Sequence, residues 1–176
     1  ISMDFYLKNL LWVSIFCIIA CGNNSTGAST GSGYNLKQPQ KVFRLPDTLM
    51  EISGLTIIDS STFACIQDEN GIIFIYNVLN NKLFDQHHFH SDGDYEGIAK
   101  ENDNIWVLRS DGELYEILGL NSGNITSASY STGIPANNNE GLCYDEKNNR
   151  LLIGFKSKVG KGKENKDKRM IYGFDI

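Results

Sequence analysis

The sequence lacks an excess of positive charge, and this absence excludes a large class of proteins. It has 16 basic and 21 acidic residues, for a formal net charge of −5. Seven of the basic residues lie between Lys156 and Arg169, so the rest of the chain carries 9 basic and 19 acidic residues. A nucleic-acid-binding protein presents a basic face, so we expect no nucleic-acid partner. An acidic body suits cationic ligands, and solubility alone also accounts for it.

The chain also lacks an apolar run long enough to form a transmembrane helix. The longest run, residues 10–20, has eleven residues, whereas a spanning helix needs roughly 20. With Lys8 in front of it, the run is typical of a signal-peptide core. It ends in Ile18-Ile19-Ala20-Cys21-Gly22, which resembles the bacterial lipobox, where cleavage precedes a cysteine that carries diacylglycerol. We therefore predict a signal peptide over residues 1–20 and lipidation of Cys21.

The stretch that follows is poor in aliphatic residues and rich in Ser, Gly and Asn. Residues 22–40 read GNNSTGASTGSGYNLKQPQ, a composition typical of a flexible tether. We predict three parts: the signal peptide, a lipidated cysteine with its tether over residues 21–40, and one folded domain over residues 41–176. Gly22, rather than an aspartate, follows the cysteine, which permits sorting to the outer membrane. The expected location is the bacterial cell envelope, with the domain anchored to a membrane and facing the periplasm.

Helical periodicity is absent after residue 40, and a repeat takes its place. Gly54, Gly97 and Gly141 are 43 and 44 residues apart, and each follows a polar residue and precedes an aliphatic one. A period of 40 to 50 residues with short strands and turn signals is typical of a β-propeller with four strands per blade. We predict an all-β fold, a β-propeller whose four-stranded blades are about 44 residues long, with about three blades present as a partial ring.

Alternating apolar runs between turn residues give the expected strands of each blade. The predicted strands are 55–58, 63–67, 72–76 and 83–88 in blade one, 98–100, 105–109, 113–117 and 127–130 in blade two, and 142–144, 151–155 and 170–174 in blade three. Residues 42–45 take the position of an outer fourth strand that closes a ring. Because propellers have four to eight blades, we expect this chain to be part of a longer propeller.

The two cysteines of the predicted domain lie on strands of different blades. Cys65 belongs to the second strand of blade one and Cys143 to the innermost strand of blade three. A disulfide needs Cα atoms within about 7 Å, and a whole blade separates these two residues. We therefore expect two buried free thiols.

The residue before each repeated glycine is the main candidate for function. Glu96 and Glu140 occupy equivalent places at the predicted channel mouth, and Ser53 takes that place in blade one. Hard oxygen donors that converge from several blades suit Ca²⁺ better than Zn²⁺. The candidate metal ligands are Glu51, Asp94, Glu96, Asn139 and Glu140. The alternative is that these groups bind backbone amides of the next blade and clamp the blades together; Arg109 and Lys156 are candidates to neutralise them.

Four motifs in order resemble the SdiA-regulated family, calcium-regulated β-propellers of bacterial envelopes. They are Glu51-Ile52-Ser53-Gly54-Leu55, Asp68-Glu69-Asn70-Gly71, Asp94-Tyr95-Glu96-Gly97-Ile98 and Asn138-Asn139-Glu140-Gly141-Leu142. The resemblance covers residues 46 to about 157 and implies a six-blade-like ring with calcium binding. The family looks related to calcium-dependent lactonase and phosphotriesterase propellers, in which the glutamate of a Glu-Gly pair is a metal ligand.

Two functional hypotheses follow from these patterns. The first is a lipid-anchored envelope propeller that binds a small molecule or a protein, linked to calcium, without catalysis. The alternative is a calcium-dependent hydrolase of esters or lactones. No Walker signature for phosphate binding occurs in the sequence.

Overall fold

The computed structural model describes residues 38–134, 138–156 and 168–176. Residues Val42–Ile176 form one compact unit. The predicted signal peptide, Cys21 and nearly all of the predicted tether lie outside the described residues, so they stay predictions. Within the described part of the chain, no helix is both long and apolar enough to cross a membrane.

The described residues form eleven strands in three antiparallel meanders, and every strand predicted within the three blades overlaps an observed one. Blade one contains β1 (Ile52–Ile57), β2 (Thr62–Gln67), β3 (Ile72–Asn77) and β4 (Lys82–His88); blade two contains β5 (Tyr95–Glu101), β6 (Asn104–Arg109), β7 (Glu113–Leu118) and β8 (Thr126–Ser131); blade three contains β9 (Asn139–Asp145), β10 (Arg150–Phe155) and β11 (Ile171–Asp175). The innermost strands β1, β5 and β9 lie side by side. The predicted β-propeller with about three blades is confirmed.

The sequence of each strand matches its depth within the blade. The middle strands β3 and β6 read IIFIYN and NIWVLR, with four consecutive buried residues each, because both of their faces are covered. Blades one and three cover β6, and blade two and the segment before blade one cover β3. The outer strand β8 reads TSASYS and is exposed throughout. The tight turns use residues that accept a positive φ: Asn102 (49°), Gly112 (92°) and Asn149 (48°).

Each blade has a leading face, toward the preceding blade, and a trailing face, toward the following blade. The trailing face of blade one packs Ala64 and Ile66 against Ile98 and Val107 on the leading face of blade two. Blades two and three form an equivalent core, which includes Trp106, Leu108, Leu151 and Ile153. Because these cores contain the large apolar side chains, the blades stack through their faces.

The repeated glycines allow the innermost strands to approach one another. A Cβ on Gly54 would lie 3.2 Å from the backbone nitrogen of Ile98. A Cβ on Gly97 would lie 2.8 Å from the Cβ of Leu142. Real side chains do not tolerate the second distance, so the absence of a side chain is what permits this spacing. The repeated glycines thus let neighbouring innermost strands pack closely.

The segment before blade one is not a strand, contrary to the expectation for residues 42–45. Residues 41–46 have no regular secondary structure, and a short 3₁₀ turn follows at Asp47–Leu49. Phe43, Leu45 and Leu49 instead pack with Phe74 and Tyr76 on the outer part of the leading face of blade one. A β-strand needs a neighbouring strand to pair with, and no strand among the described residues pairs with this segment.

Both cysteines of the domain are free thiols, as expected, but only one is buried. Cys65 lies in the core under Leu49, and burial raises the pKa of its thiol to about 11. Cys143 is exposed, so the expectation that it is buried was wrong. Its side chain shares the trailing face of blade three with Leu152, its partner across the ladder, and no described residue covers that face as a following blade covers Ala99.

Candidate functional site

The residue before each repeated glycine is the extra residue of a β-bulge. In blade one the register passes from Ile52 to Gly54 and leaves Ser53 without a partner on β2. The same step leaves Glu96 out of the β5–β6 ladder and Glu140 out of the β9–β10 ladder. A bulge bends the strand and turns the extra side chain out of the regular alternation, and bulges are common next to functional sites.

Carboxylates from all three blades influence Glu96. Burial is the largest cause that raises its pKa, and the negative charges of Asp94, Glu140 and Asp68 raise it further. Asp68 follows β2 of blade one, Asp94 and Glu96 belong to blade two, and Glu140 belongs to blade three. We call Ser53, Asp68, Asp94, Glu96 and Glu140 the bulge cluster. The structure thus brings together three of the five sequence-predicted ligands.

A lysine neutralises one side of this cluster. Lys156 Nζ lies 2.9 Å from Glu140 Oε1, with the lysine side chain mostly exposed and the glutamate about one-third exposed. The hydrogen bond to Glu140 raises the pKa of Lys156, and the charges of Glu140 and Glu96 act in the same direction. The prediction that Lys156 neutralises these carboxylates is confirmed for Glu140. One ammonium group against four carboxylates leaves the bulge cluster with a net negative charge.

Two oxygen atoms of the cluster are buried without a described hydrogen-bond partner. They are Asp68 Oδ1 and Ser53 Oγ. A buried polar atom without a partner costs about 1–3 kcal/mol, so such atoms in a native fold point to a water, an ion or a ligand that satisfies them. Sequence analysis named Asp68 only as the first residue of the Asp68-Glu69-Asn70-Gly71 motif. Its position directly after the second strand of its blade is the signal that would have placed it near the bulges.

The other two predicted ligands lie differently. Asn139 is fully buried, and its amide donates a 2.8 Å hydrogen bond to the backbone carbonyl of Ser110 in blade two. It therefore acts as a clamp between blades, the alternative role considered for this group. Glu51 has an exposed side chain, and its backbone carbonyl accepts a 3.4 Å hydrogen bond from Asp68 N.

Arg109 does not reach the bulge cluster, contrary to the suggestion that it neutralises the carboxylates. It binds Asp111 through two hydrogen bonds of 3.0 and 2.9 Å and donates another to the Tyr115 hydroxyl. Ladder register explains the difference: Arg109 pairs with Tyr95, and its equivalent in blade three is Phe155, not Lys156. Lys156 is one residue further along, where its N–H donates to Asn138 O and its side chain turns toward Glu140.

The cluster fits calcium by its chemistry more than by its present geometry. Its donors are carboxylate oxygens and a hydroxyl oxygen, which Ca²⁺ prefers. However, no three His, Cys, Asp or Glu side chains in the described ranges stand close enough together to hold a metal ion. Repulsion between carboxylates without a counter-ion accounts for this separation. Binding a cation would require these side chains to move together by rotamer changes.

Comparison with known proteins supports the fold alone. No protein-family model matches the sequence, and no curated protein matches it. Among solved structures, hydrazine synthase of Kuenenia stuttgartiensis is similar with a TM-score of 0.53 at 10% identity. The match covers 78% of this chain and 36% of that one. The chain thus spans about a third of that protein.

Two further solved structures are similar at lower TM-scores. BamB of Moraxella catarrhalis matches with a TM-score of 0.38 at 17% identity, over 59% of this chain and 31% of that one. The computationally designed Ika4 protein matches with a TM-score of 0.43 at 11% identity, over 79% of this chain and 99% of that one. At these TM-scores the two similarities carry no argument about fold or function.

Proposed function

We propose that this chain is a lipid-anchored β-propeller of the bacterial cell envelope that binds a cationic ligand at its bulge cluster without catalysis. Ca²⁺ is the candidate ion, and the bound ion would link the propeller to a small molecule or protein in the periplasm. The proposal for the anchor depends on Cys21, and the proposal for the binding site depends on the carboxylates.

The observation that carries the proposal is the buried Oδ1 atom of Asp68, which has no hydrogen-bond partner among the described residues; the raised pKa of Glu96 supports it. The first cause of that raised pKa is burial, and the next are the charges of Asp94 and Glu140, followed by Asp68. A carboxylate that is penalised in this way is costly to keep ionised unless a positive charge compensates it. Among the described residues Lys156 forms its direct ion pair with Glu140, so a cation bound beside Glu96 would add the positive charge that no direct ion pair supplies there.

The chemistry of the cluster suits an ion held at the junction of three blades. The ligands would be Glu96 and Glu140 from adjacent bulges, with Asp94 and the buried Oδ1 atom of Asp68 beside them. The bulges matter here because they take Glu96 and Glu140 out of the regular alternation of side chains along a strand. In that alternation, a side chain would point to a blade face and be buried between blades. Bound calcium would supply positive charge and join three blades through one group.

The test is a comparison of melting temperatures for wild type, Glu96→Gln and Glu140→Gln, each in excess chelator and in millimolar calcium. Gln keeps the shape of the side chain and removes its charge. A ligand that prefers the folded state stabilises it by RT ln(1 + [L]/Kd), about 2.7 kcal/mol at 100 Kd. We expect calcium to raise the melting temperature of wild type, and we expect this rise to shrink in both variants.

Glu146→Gln is the matched control, because Glu146 is exposed and follows the opposite end of the strand that carries Glu140. Its calcium-induced rise should equal that of wild type. Wild type without any calcium-induced rise would contradict the proposal. Equal destabilisation of both glutamine variants with and without calcium would assign the two glutamates to clamping between blades.

A further inference from the structure

We propose that a cleft between blades one and two, beside the outer strand of blade one, binds an organic ammonium ion, a small molecule that carries a positively charged nitrogen on an apolar body. The cleft is separate from the bulge cluster, because Thr62 at the start of β2 lines it, whereas Asp68 follows the opposite end of that strand. The proposal therefore does not depend on cation binding at the cluster.

The cleft lies between the trailing face of blade one and the turn that joins β7 to β8 in blade two. Its volume is about 490 Å³, and small-molecule sites usually measure about 300–1,000 Å³. Ile58, Ile75 and Leu120 form its apolar wall, and the same three side chains pack at the core between the two blades. An apolar group of a ligand can therefore be buried there.

Phe84 borders the cleft and is the extra residue of a β-bulge in β4. The register passes from Asp85 opposite Ile75 to Leu83 opposite Tyr76, and this step leaves Phe84 without a partner on β3. The bulge turns the side chain out of the regular alternation, and Phe84 is 78% exposed. An exposed phenyl ring at a cleft can pack against an apolar group and can attract an ammonium ion to its face.

Asp85 and His87 place polar groups on a part of the blade face where the fold does not require them. Both lie on the trailing face of β4, and His87 Nε2 is 3.3 Å from Asp85 Oδ2. The equivalent positions on β8 of blade two hold Ala128 and Tyr130. Because blade two forms the same sheet without an Asp–His pair, strand pairing does not account for the pair in blade one.

Two carboxylates give the cleft a negative charge. Asp59 Oδ1 accepts hydrogen bonds of 2.7 and 3.0 Å from the backbone N–H and the hydroxyl of Ser61, and these bonds lower the pKa of Asp59. Asp85 is the second carboxylate, and its side chain is about half exposed. Among the described residues, no lysine or arginine lines the cleft. The cleft is therefore complementary in charge to a cation.

The wall that blade two contributes has a fixed shape. A 3₁₀ turn at Leu120–Ser122 lies between Gly119 and Gly123, whose φ angles are 78° and 72°. The Ser122 hydroxyl donates a 2.9 Å hydrogen bond to the backbone carbonyl of Gly119. Because the turn is held by its own contacts, a ligand can bind without first ordering this wall.

The combination of an apolar wall and carboxylates selects the class of ligand. The apolar body would lie against Phe84 and the wall, and the nitrogen would donate charge-assisted hydrogen bonds to Asp59 and Asp85. A metal ion gains nothing from an apolar wall. In the described ranges, moreover, no three His, Cys, Asp or Glu side chains stand close enough together to hold one.

The test follows the backbone amide resonances of the full chain during titration with 2-phenylethylammonium, in a non-ionic detergent that covers the apolar run 10–20. Saturable shifts should be confined to residues at the cleft, including those of the turn at Leu120–Ser122. The uncharged probe 2-phenylethanol should bind about tenfold more weakly, because it lacks the charge that strengthens the hydrogen bonds. The anionic probe 3-phenylpropionate should give no saturable shift.

Variants assign the binding to the two parts of the site. Asp85→Asn and Phe84→Ala should each raise the Kd for 2-phenylethylammonium about fivefold. Asp92→Asn is the matched control, because Asp92 is exposed in the connection between β4 and β5 and does not line the cleft; it should bind like wild type. Asp59→Asn replaces Asp85→Asn, and Phe84→Leu replaces Phe84→Ala, if the amide spectrum shows that the first variant is unfolded.

Three results would overturn the proposal. The first is a wild type without saturable shifts at the cleft. The second is equal affinity for 2-phenylethylammonium and 2-phenylethanol, which would show that charge is not recognised. The third is a Kd that stays at the wild-type value in the carboxylate and phenylalanine variants, or that Asp92→Asn raises by the same factor, since either result would place the binding outside the cleft.

Discussion

At the scale of single residues, Glu96 is the position where burial and neighbouring charge act in the same direction. Both raise the pKa of its carboxyl above the usual 4.5. The folded state therefore holds the proton more tightly than the unfolded state. By linkage, the stabilisation from this protonated group is fully present below the unfolded pKa and is lost as the pH rises through the folded pKa.

The pH dependence of stability gives a test of this environment. We expect Glu96→Gln to be more stable than wild type at neutral pH in the presence of chelator, because the substitution removes a penalised charge. The difference should vanish below about pH 4.5, where wild-type Glu96 is protonated in both states. Urea unfolding of both proteins from pH 4 to pH 8 measures it. A constant difference across this range would show that charge is not the cause.

At the scale of structural elements, the bulge and the glycine act together in each innermost strand. The bulge releases Ser53, Glu96 or Glu140 from the ladder, and the glycine that follows lets the next strand approach. The bulge residue and the glycine are adjacent in sequence because the same bend in the strand turns the bulge residue out of the ladder and brings the glycine close to the next strand. The cost of substituting the repeated glycine differs between blades, since among the described residues only Gly54 and Gly97 contact a following blade.

Substitution of the repeated glycines by alanine should reveal that difference. A Cβ at Gly97 would lie 2.8 Å from the Cβ of Leu142, whereas a Cβ at Gly141 meets nothing closer than 3.8 Å. Overpacking of a well-packed core costs about 1–3 kcal/mol, so we expect Gly97→Ala to be destabilised by this amount. Gly141→Ala should change the free energy of unfolding by less than about 0.5 kcal/mol. Urea unfolding at protein concentrations that keep the chain monomeric provides the measurement.

At the scale of the whole molecule, a folded domain and a membrane anchor are expected to be joined by a flexible tether. The fold places the bulge cluster at one end of the innermost strands, and a tether of about 19 residues would span roughly 25 Å as a flexible coil. Such a reach would let the domain contact ligands or partners beyond the lipid headgroups. The anchor is therefore part of the proposed function and not merely of its location.

Lipidation of Cys21 is tested by expression in a Gram-negative host. Wild type should partition into the detergent phase, because several acyl chains on one residue give stable anchoring. Cys21→Ala should either leave the protein unprocessed or release it into the aqueous phase. A wild type that is soluble and retains a free thiol at Cys21 would contradict the assignment.

Sequence alone was sufficient for the architecture, for physical reasons that are visible in particular residues. Apolar runs such as those of β3 and β6, with turn residues such as Asn102 and Gly112 between them, can only be strands of a repeated meander. A repeat of 43 and 44 residues then predicts blades. Local patterns dictate these features, so the order and approximate position of the eleven strands followed from the sequence, whereas the strand expected at residues 42–45 does not form, because no described strand pairs with it.

Tertiary structure decided what the side chains near the channel do. The ladder register between strands determines which residue is the extra one in each bulge. It also determines that Lys156, one residue beyond the equivalent of Arg109, contacts a carboxylate of the bulge cluster while Arg109 does not. Asn139 proved to be a clamp and Asp68 a member of the cluster because contacts between blades, not sequence spacing, orient them. Cys143 is exposed for the same reason: burial on a blade face depends on whether another blade covers it, and no pattern within the strand records that.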